Sequence, residues 1–370
     1  MEELTTDFYR NISCTTFQDD PEKEEKAQSN GDFSSNVSIM AVGYYLAVIV
    51  IFGTVGNSVV IHVIYKEVKF HTATYMLIFN LAISDFAVCC FGTPLSCSSS
   101  FVGYWLYGKI GCEYYGFLNY YCGCISLNSY AAIALVRFNI IVRRRSVTKL
   151  QILRLICVIH AYTCVFTIPP LLGWNAFVLE GFYTQCDIAY KVKTPLYLSY
   201  ICVMFVWLFF APLIIIMFCY FRIIRYVGEH KARFERTHRL LTTGRRRKGN
   251  SVSINSFRTS MIILICCSVF LFTWLPYCIL VSYGLLGNPD HISQTASAVP
   301  ALIAKTSTIF NPFILIGFNR EFYDTLLHRQ CACGPQSNSK MTSRDKNYSL
   351  SYGGITVGDD LNKDSLNTRV

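Results

Sequence analysis

The sequence predicts an all-α membrane protein, a bundle of seven transmembrane helices with a short amphipathic eighth helix. Three observations carry that expectation. Hydrophobic residues make up 52% of the 370-residue chain and charged residues 15%, more apolar and far less charged than soluble domains. Seven stretches are apolar over at least the ~20 residues that a helix needs to cross a bilayer: Ile39–Tyr65, Tyr75–Cys97, Cys112–Val142, Leu150–Leu172, Pro195–Tyr226, Ser260–Leu286 and Ser293–Phe318. Lysine and arginine also collect in alternate connections. Lys66 and Lys69 follow the first span, Arg143, Arg144, Arg145 and Lys149 the third, and Arg225, Lys231, Arg233, Arg236, Arg239 and Arg245–Lys248 the fifth.

Residues 1–38 form a polar segment rich in acids, including Glu2, Glu3, Asp7, Asp19, Asp20, Glu22, Glu24, Glu25 and Asp32. It has no early apolar core, so no cleavable signal peptide is expected. The positive-inside rule assigns the basic connections to the cytoplasm, with the N-terminus extracellular and the C-terminus cytoplasmic, as for a multi-pass plasma-membrane protein. The sequons Asn11-Ile12-Ser13 and Asn36-Val37-Ser38 fit an outer, glycosylated segment. After the bundle at 39–318, residues 319–333 place Phe322, Leu326 and Leu327 on a basic, polar background, the pattern of a helix lying on the membrane surface. Cys331 and Cys333 at its end are either palmitoylation sites or free thiols. Residues 334–370 are rich in Ser, Asn, Asp and Gly, which predicts a disordered tail; it offers Ser337, Ser339, Thr342, Ser343, Ser349 and Ser351 to kinases. Its last residues, Thr368-Arg369-Val370, resemble a ligand of PDZ domains, which add such a peptide as a strand.

Composition excludes several classes. The net charge of +10 sits in separate connections rather than on one soluble face, which argues against nucleic-acid binding. Most of the 17 cysteines lie inside apolar runs and read as buried thiols. Cys122 and Cys124 flank a glycine with no histidine at zinc-ligand spacing, so no metal site is expected.

Ionisable and polar groups inside a span are functional candidates, because burying them costs several kcal/mol unless they are paired or hydrated. Here they are Asn57 in the first span, Asp85 in the second, Arg137 at the inner end of the third, Tyr220 in the fifth and Asn311 in the seventh, with Pro212, Trp274, Pro276 and Pro312 at the bends. In this order and at these depths they resemble the rhodopsin-like class of G-protein-coupled receptors, over roughly Asn57 to Cys333. The resemblance implies a receptor rather than an enzyme, a disulfide between Cys112 and Cys186, and Arg137, Tyr220, Asn311 and Pro312 as the coupling and activation residues. It also implies a heterotrimeric G protein as partner, with arrestin and a receptor kinase acting through the tail.

Within that class "AKTSTIFNP", Ala304 to Pro312, is similar to the seventh helix of opsins, where the lysine holds retinal as a Schiff base, and Tyr115 in place of a visual-pigment glutamate makes the resemblance one to invertebrate or non-visual opsins. Lys305 lies near the middle of its span, too deep to snorkel, and a desolvated lysine amine attacks an aldehyde readily. The resemblance then implies a pocket of Tyr115, Gly116, Tyr120 and Gly123 from the third helix, Met204 and Phe209 from the fifth, and Trp274 and Tyr277 from the sixth. It further implies 11-cis-retinal in the dark and all-trans-retinal after light. Vertebrate visual pigments carry a counterion glutamate where this chain has Tyr115. Glu180, before Cys186, matches the loop counterion of other opsins, with Asp187 and Glu113 as rivals.

Three departures bear on signalling. Val136 replaces the acid expected beside Arg137, Leu315 replaces the tyrosine of Asn-Pro-x-x-Tyr, and His160 replaces a tryptophan of the fourth helix. They leave open a light-driven retinal isomerase beside the light-sensing receptor; a receptor for a diffusible ligand is the third reading.

Overall fold

The computed structural model describes residues 33–67, 72–240, 250–319 and 322–326, with side chains for 37–67, 72–229, 258–319 and 322–326. Asn11, the Asn36 side chain, Arg245–Lys248, Cys331, Cys333 and Thr368-Arg369-Val370 lie outside them. Among the described residues seven helices are long and apolar enough to span a membrane. They are α1 (Phe33–Lys66), α2 (Ala73–Val102), α3 (Gly108–Ile141), α4 (Lys149–Thr167, extended by a 3-10 turn over Pro169–Leu172), α5 (195–240), α6 (Asn250–Leu286) and α7 (Gln294–Phe318). Residues 322–326 form a helical turn beyond α7, with Phe322 fully buried.

Helix α3 is the centre of the bundle: 78% of its apolar window is buried against 22% for α4. It packs on α2, α4, α5 and α6. Large apolar side chains cover the outer faces, among them Ile110, Leu172 and Phe272, as expected where hydrocarbon is the solvent. The spans agree with the sequence expectation apart from their ends. Helix α2 runs to Val102 rather than Cys97 because its serines satisfy themselves locally: Ser98 Oγ donates to the Pro94 carbonyl at 2.9 Å and Ser100 Oγ to the Ser96 carbonyl at 2.8 Å. Helix α3 begins at Gly108, so Cys112 sits a turn inside it. Helices α5 and α6 continue beyond Tyr226 and before Ser260 through polar sequence, which does not oppose helicity once a span has nucleated it.

Proline shapes the interior of the helices. Pro94 and Pro212 each lack an N–H and crowd the carbonyl four residues earlier, and in both helices that carbonyl falls in a π-helical segment, Val88–Gly92 in α2 and Phe205–Phe210 in α5. Helix α7 has a seam at Thr306 between Gln294–Lys305 and Ser307–Phe318. Three successive hydroxyls are drawn back onto carbonyls three residues earlier: Thr306 onto Ile303, Ser307 onto Ala304 at 2.8 Å and Thr308 onto Lys305 at 2.9 Å. Lys305 is therefore the last residue of the first segment.

Between α4 and α5 lies a feature that hydropathy does not reveal, the antiparallel hairpin β1 (Phe177–Glu180) and β2 (Gln185–Ile188), in which Glu180 faces Gln185 and Phe177 faces Ile188. An isolated two-stranded hairpin is marginal in water. Here Asn175 Oδ1 accepts from the backbone N–H of Ala176 at 2.7 Å and of Ala189 at 3.1 Å, closing its base. The disulfide Cys112–Cys186 joins β2 to α3 across 74 residues of sequence. By loop-closure entropy such a bridge contributes about 2–5 kcal/mol. Cys186→Ser is expected to lower stability by about that amount and to expose the hairpin backbone. Thermal inactivation and amide exchange over residues 177–188 measure both, and an unchanged protection of the hairpin would count against this role.

Candidate functional site

Beneath the hairpin, α3, α6 and α7 line a cleft bounded by Gly116, Asn119, Tyr120, Gly123, Trp274, Tyr277, Ala301, Lys305 and Asp187. Two glycines on α3 let bulky groups approach its backbone. A Cβ on Gly123 would lie 2.7 Å from the Trp274 ring and one on Gly116 2.4 Å from the Phe177 ring, so the indole and the hairpin both rest directly on the helix. Trp274 stacks on Phe270 with centroids 5.5 Å apart, meets Tyr277 edge-on at 5.9 Å, and donates from Nε1 to Ser307 Oγ at 3.3 Å. Trp274 thus touches the second segment of α7 just below Lys305.

The Lys305 amine lies 5.5 Å above the centre of the Tyr115 ring, a cation–π distance. The Tyr115 hydroxyl is buried without a hydrogen-bond partner among the described residues. Two acids come from the hairpin. Asp187 lines the cleft, and its Oδ1 accepts from Tyr277 Oη at 2.6 Å and from the Ile188 N–H at 2.8 Å. Burial pushes its carboxyl up to about 6, partly opposed by the bonds from Tyr277 and Ile188 and by the positive charge of Lys305; Glu180 adds to the rise. Glu180 is itself buried, and its Oε2 accepts from Ser297 Oγ at 2.6 Å, Lys191 Nζ at 2.7 Å and Tyr190 Oη at 3.2 Å.

The profile of the 7 transmembrane receptor (rhodopsin family) matches residues 56–315. The chain belongs to this receptor family. Among its relatives are the Gq-coupled rhodopsin of Mizuhopecten yessoensis, 29% identical over 80% of this chain and 62% of that one, and the rhodopsin of Enteroctopus dofleini, 32% identical over 74% of this chain and 61% of that one. Rattus norvegicus melanopsin is 32% identical over 74% and 58% respectively. The chain thus spans about three fifths of the length of these curated relatives. The crystal structure of squid rhodopsin superposes with a TM-score of 0.74 at 27% identity, covering 82% of this chain and 89% of that one. The resemblance to invertebrate and non-visual opsins holds on these comparisons.

The receptor brings together at one cleft Lys305, Gly116, Tyr120, Gly123, Trp274 and Tyr277, with Tyr115 against the lysine. Met204 packs with Ile188, Tyr200 and Ile201, and Phe209 against the core beneath; neither is among the residues that bound the cleft, nor are Glu180 and Glu113.

Below the cleft a buried relay runs across the receptor. Asp85 accepts from Ser126 Oγ at 3.1 Å and from Asn311 Nδ2 at 2.7 Å, and Asn311 Oδ1 in turn accepts from Tyr130 Oη at 2.5 Å. Asn57 Nδ2 donates to the Gly53 and Thr308 carbonyls, each at 2.9 Å. Arg137 is buried beside Tyr75 and Tyr220, and the Tyr75 hydroxyl accepts from Asn319 Nδ2 at 2.7 Å. His160 joins three helices: its Nδ1 meets Tyr121 Oη at 2.8 Å and its Nε2 meets Asn80 Oδ1 at 2.9 Å, while Asn80 Nδ2 donates to Ser129 Oγ at 3.1 Å.

Sequence reasoning missed Tyr130, Tyr75, Asn80, Tyr190, Lys191 and Ser297. A tyrosine among aromatic neighbours carries no signal of its hydroxyl's destination, and Tyr130 and Asn311 are 181 residues apart. Lys191 carries no usable sign either, being one of two lysines, with Lys193, in the connection before the fifth span. Removing the Tyr130 hydroxyl leaves the buried Asn311 oxygen without that donor, a loss of about 1–3 kcal/mol. Tyr130→Phe is expected to lower the melting temperature of the solubilised receptor, while a charge-conserving surface change such as Arg222→Lys leaves it in place.

Proposed function

We propose that this receptor is a light sensor that carries retinal on Lys305 and passes the signal to a heterotrimeric G protein. The observation that carries the reading is the position of the Lys305 side chain, in the lining of an aromatic cleft and on the last residue before the α7 seam. The cleft suits a long apolar polyene: Tyr120, Trp274 and Tyr277 offer ring faces along it, with few polar groups among them. Retinal, when bound, supplies light absorption and a change of shape, 11-cis in the dark and all-trans afterwards. The chain's own residues do the rest. Lys305 provides the attachment, Tyr115 and the disulfide-anchored hairpin cover it, and that hairpin, which carries Glu180 and Asp187, brings the counter-charge. Trp274 lies where a change in the cleft reaches Ser307 and the lower half of α7, so the shift of populations between resting and active bundles begins there.

The orientation that serves this function places the hairpin and disulfide outside, in an oxidising compartment, and Arg137 with the basic connections at the cytoplasmic face of the plasma membrane. The Gq-coupled rhodopsin among the relatives supports a G-protein partner at that face, with Arg137, Tyr220, Asn311 and Pro312 as the coupling residues. Asn11 and Asn36 as glycosylation sites, Cys331 and Cys333 as palmitoylation sites, arrestin and kinase at the tail and a PDZ protein at Thr368-Arg369-Val370 complete the proposal. Leu315, buried where a tyrosine hydroxyl is expected, favours one second reading, a retinal photoisomerase with little G-protein signalling.

Purified receptor incubated with 11-cis-retinal is expected to give a visible absorption band that Lys305→Ala abolishes. Light-dependent nucleotide exchange on a G protein then supports the sensor; isomer conversion without exchange supports the photoisomerase, and the absence of any band removes both. Val136 is buried next to Arg137, and an acid placed there adds a carboxylate beside the guanidinium. Val136→Glu is expected to reduce exchange in the dark several-fold relative to the wild type, and equal dark levels would count against a weakened resting restraint.

A further inference from the structure

The connection between α4 and α5 brings a second lysine to the site, and it changes which carboxylate is free to act. Lys191 Nζ stands 2.7 Å from Glu180 Oε2. The same oxygen also takes the Ser297 and Tyr190 hydroxyls, and those two hydroxyls lie 2.7 Å from each other. Glu180 is thus compensated by a full positive charge and two further donors, and it is not among the residues that bound the cleft. Among the described residues Asp187 has no such ion pair. Its carboxylate faces the cleft, holds Tyr277 at 2.6 Å and lies within the electrostatic reach of Lys305.

We propose that counter-charge is divided between two separate pairs, Asp187 serving Lys305 and Lys191 cancelling Glu180, so that Lys191 decides whether Glu180 contributes to the chromophore's field. This rests on the attachment of retinal at Lys305. The four groups sum to zero when Lys305 carries a positive charge, which is the condition for holding that charge in a low-dielectric site without borrowing a fifth group. The other ionisable groups facing the cleft do not meet this need. Asp85 lies along the wall near Asn311, six residues beyond Lys305 and so roughly 9 Å further along the helix, and both its oxygens are engaged by Ser126 and Asn311. Tyr120 on α3 and Tyr277 on α6 bring hydroxyls rather than carboxylates to the cleft. Glu113 does not line the cleft.

The test is the absorption spectrum of the full chain reconstituted with 11-cis-retinal, recorded across pH. Asp187→Asn is expected to move most of the pigment from visible to ultraviolet absorption at neutral pH, whereas Glu180→Gln keeps a visible band. The double variant Asp187→Asn with Lys191→Met is expected to recover visible absorption, because the released Glu180 replaces the missing charge; a merely structural Lys191 predicts no such rescue. Should Asp187→Asn fail to assemble, Lys191→Met alone suffices. It is expected to raise by about one pH unit, a tenfold change in proton affinity, the pH at which the visible band is lost, and Glu180→Gln in that background to cancel the rise. A Glu180→Gln pigment confined to the ultraviolet, or a Lys191→Met titration identical to the wild type, overturns the division. A wild-type chain that forms no pigment overturns the retinal reading itself and the division with it.

Discussion

A charged amine inside a bundle whose outside is hydrocarbon has to be compensated by the protein, because neither lipid nor bulk water supplies a counter-charge there. Much of the architecture around Lys305 follows from that constraint. The carboxylates arrive on a hairpin rather than on a helix, and a hairpin of two four-residue strands keeps its register only when held at its base and its middle. Asn175 holds the base and Cys186 the middle. The disulfide is adjacent in sequence to Asp187, so the bond that ties β2 to α3 also sets how far that carboxylate reaches into the cleft. Stability of the loop and electrostatics of the site are here one arrangement.

The same economy of internal partners governs the opposite half. Asp85, Ser126, Tyr130 and Asn311 satisfy one another, and Asn57 ties α1 to α7 through the Thr308 carbonyl. Where the family pattern loses a hydroxyl at Leu315, aromatic hydroxyls enter from other helices: Tyr130 from α3 onto Asn311 and Tyr75 from α2 onto Asn319. Likewise His160 replaces the bulk of an indole with two directed nitrogen contacts. An apolar partner tolerates sliding, while a hydrogen-bonded one fixes distance and angle, so the substitution exchanges packing for geometry at the junction of α2, α3 and α4.

What was readable in the sequence was what depends on local pattern. The spans are legible because hydrocarbon demands ~20 apolar residues in a row, and Lys305 is legible because a lysine in such a run is costly. The ends of α2, α5 and α6 were not, since a serine that bonds its own helix looks as polar as one in a loop. The hairpin was hidden by its shortness. The pairing of Lys191 with Glu180 and of Tyr277 with Asp187 depends on contacts between residues 11 and 90 positions apart, and no periodicity reports those. Glu180 was named from resemblance and Asp187 only as its rival; that Glu180 pairs with Lys191 while Asp187 lines the cleft with Lys305 depends on the tertiary fold.

The seam at Thr306 has a mechanical consequence. Because three side-chain hydroxyls close the turn locally, the two segments of α7 meet at a joint whose stiffness comes from short bonds within four residues rather than from the continuous ladder of a long helix. A load applied at Lys305 acts at the very end of the upper rod, where its leverage on the joint is smallest and its push on the lower rod most direct. Trp274, bonded to Ser307 on the other side of the joint, then behaves as a stop against which that lower rod, with Asn311 and Pro312 on it, must turn.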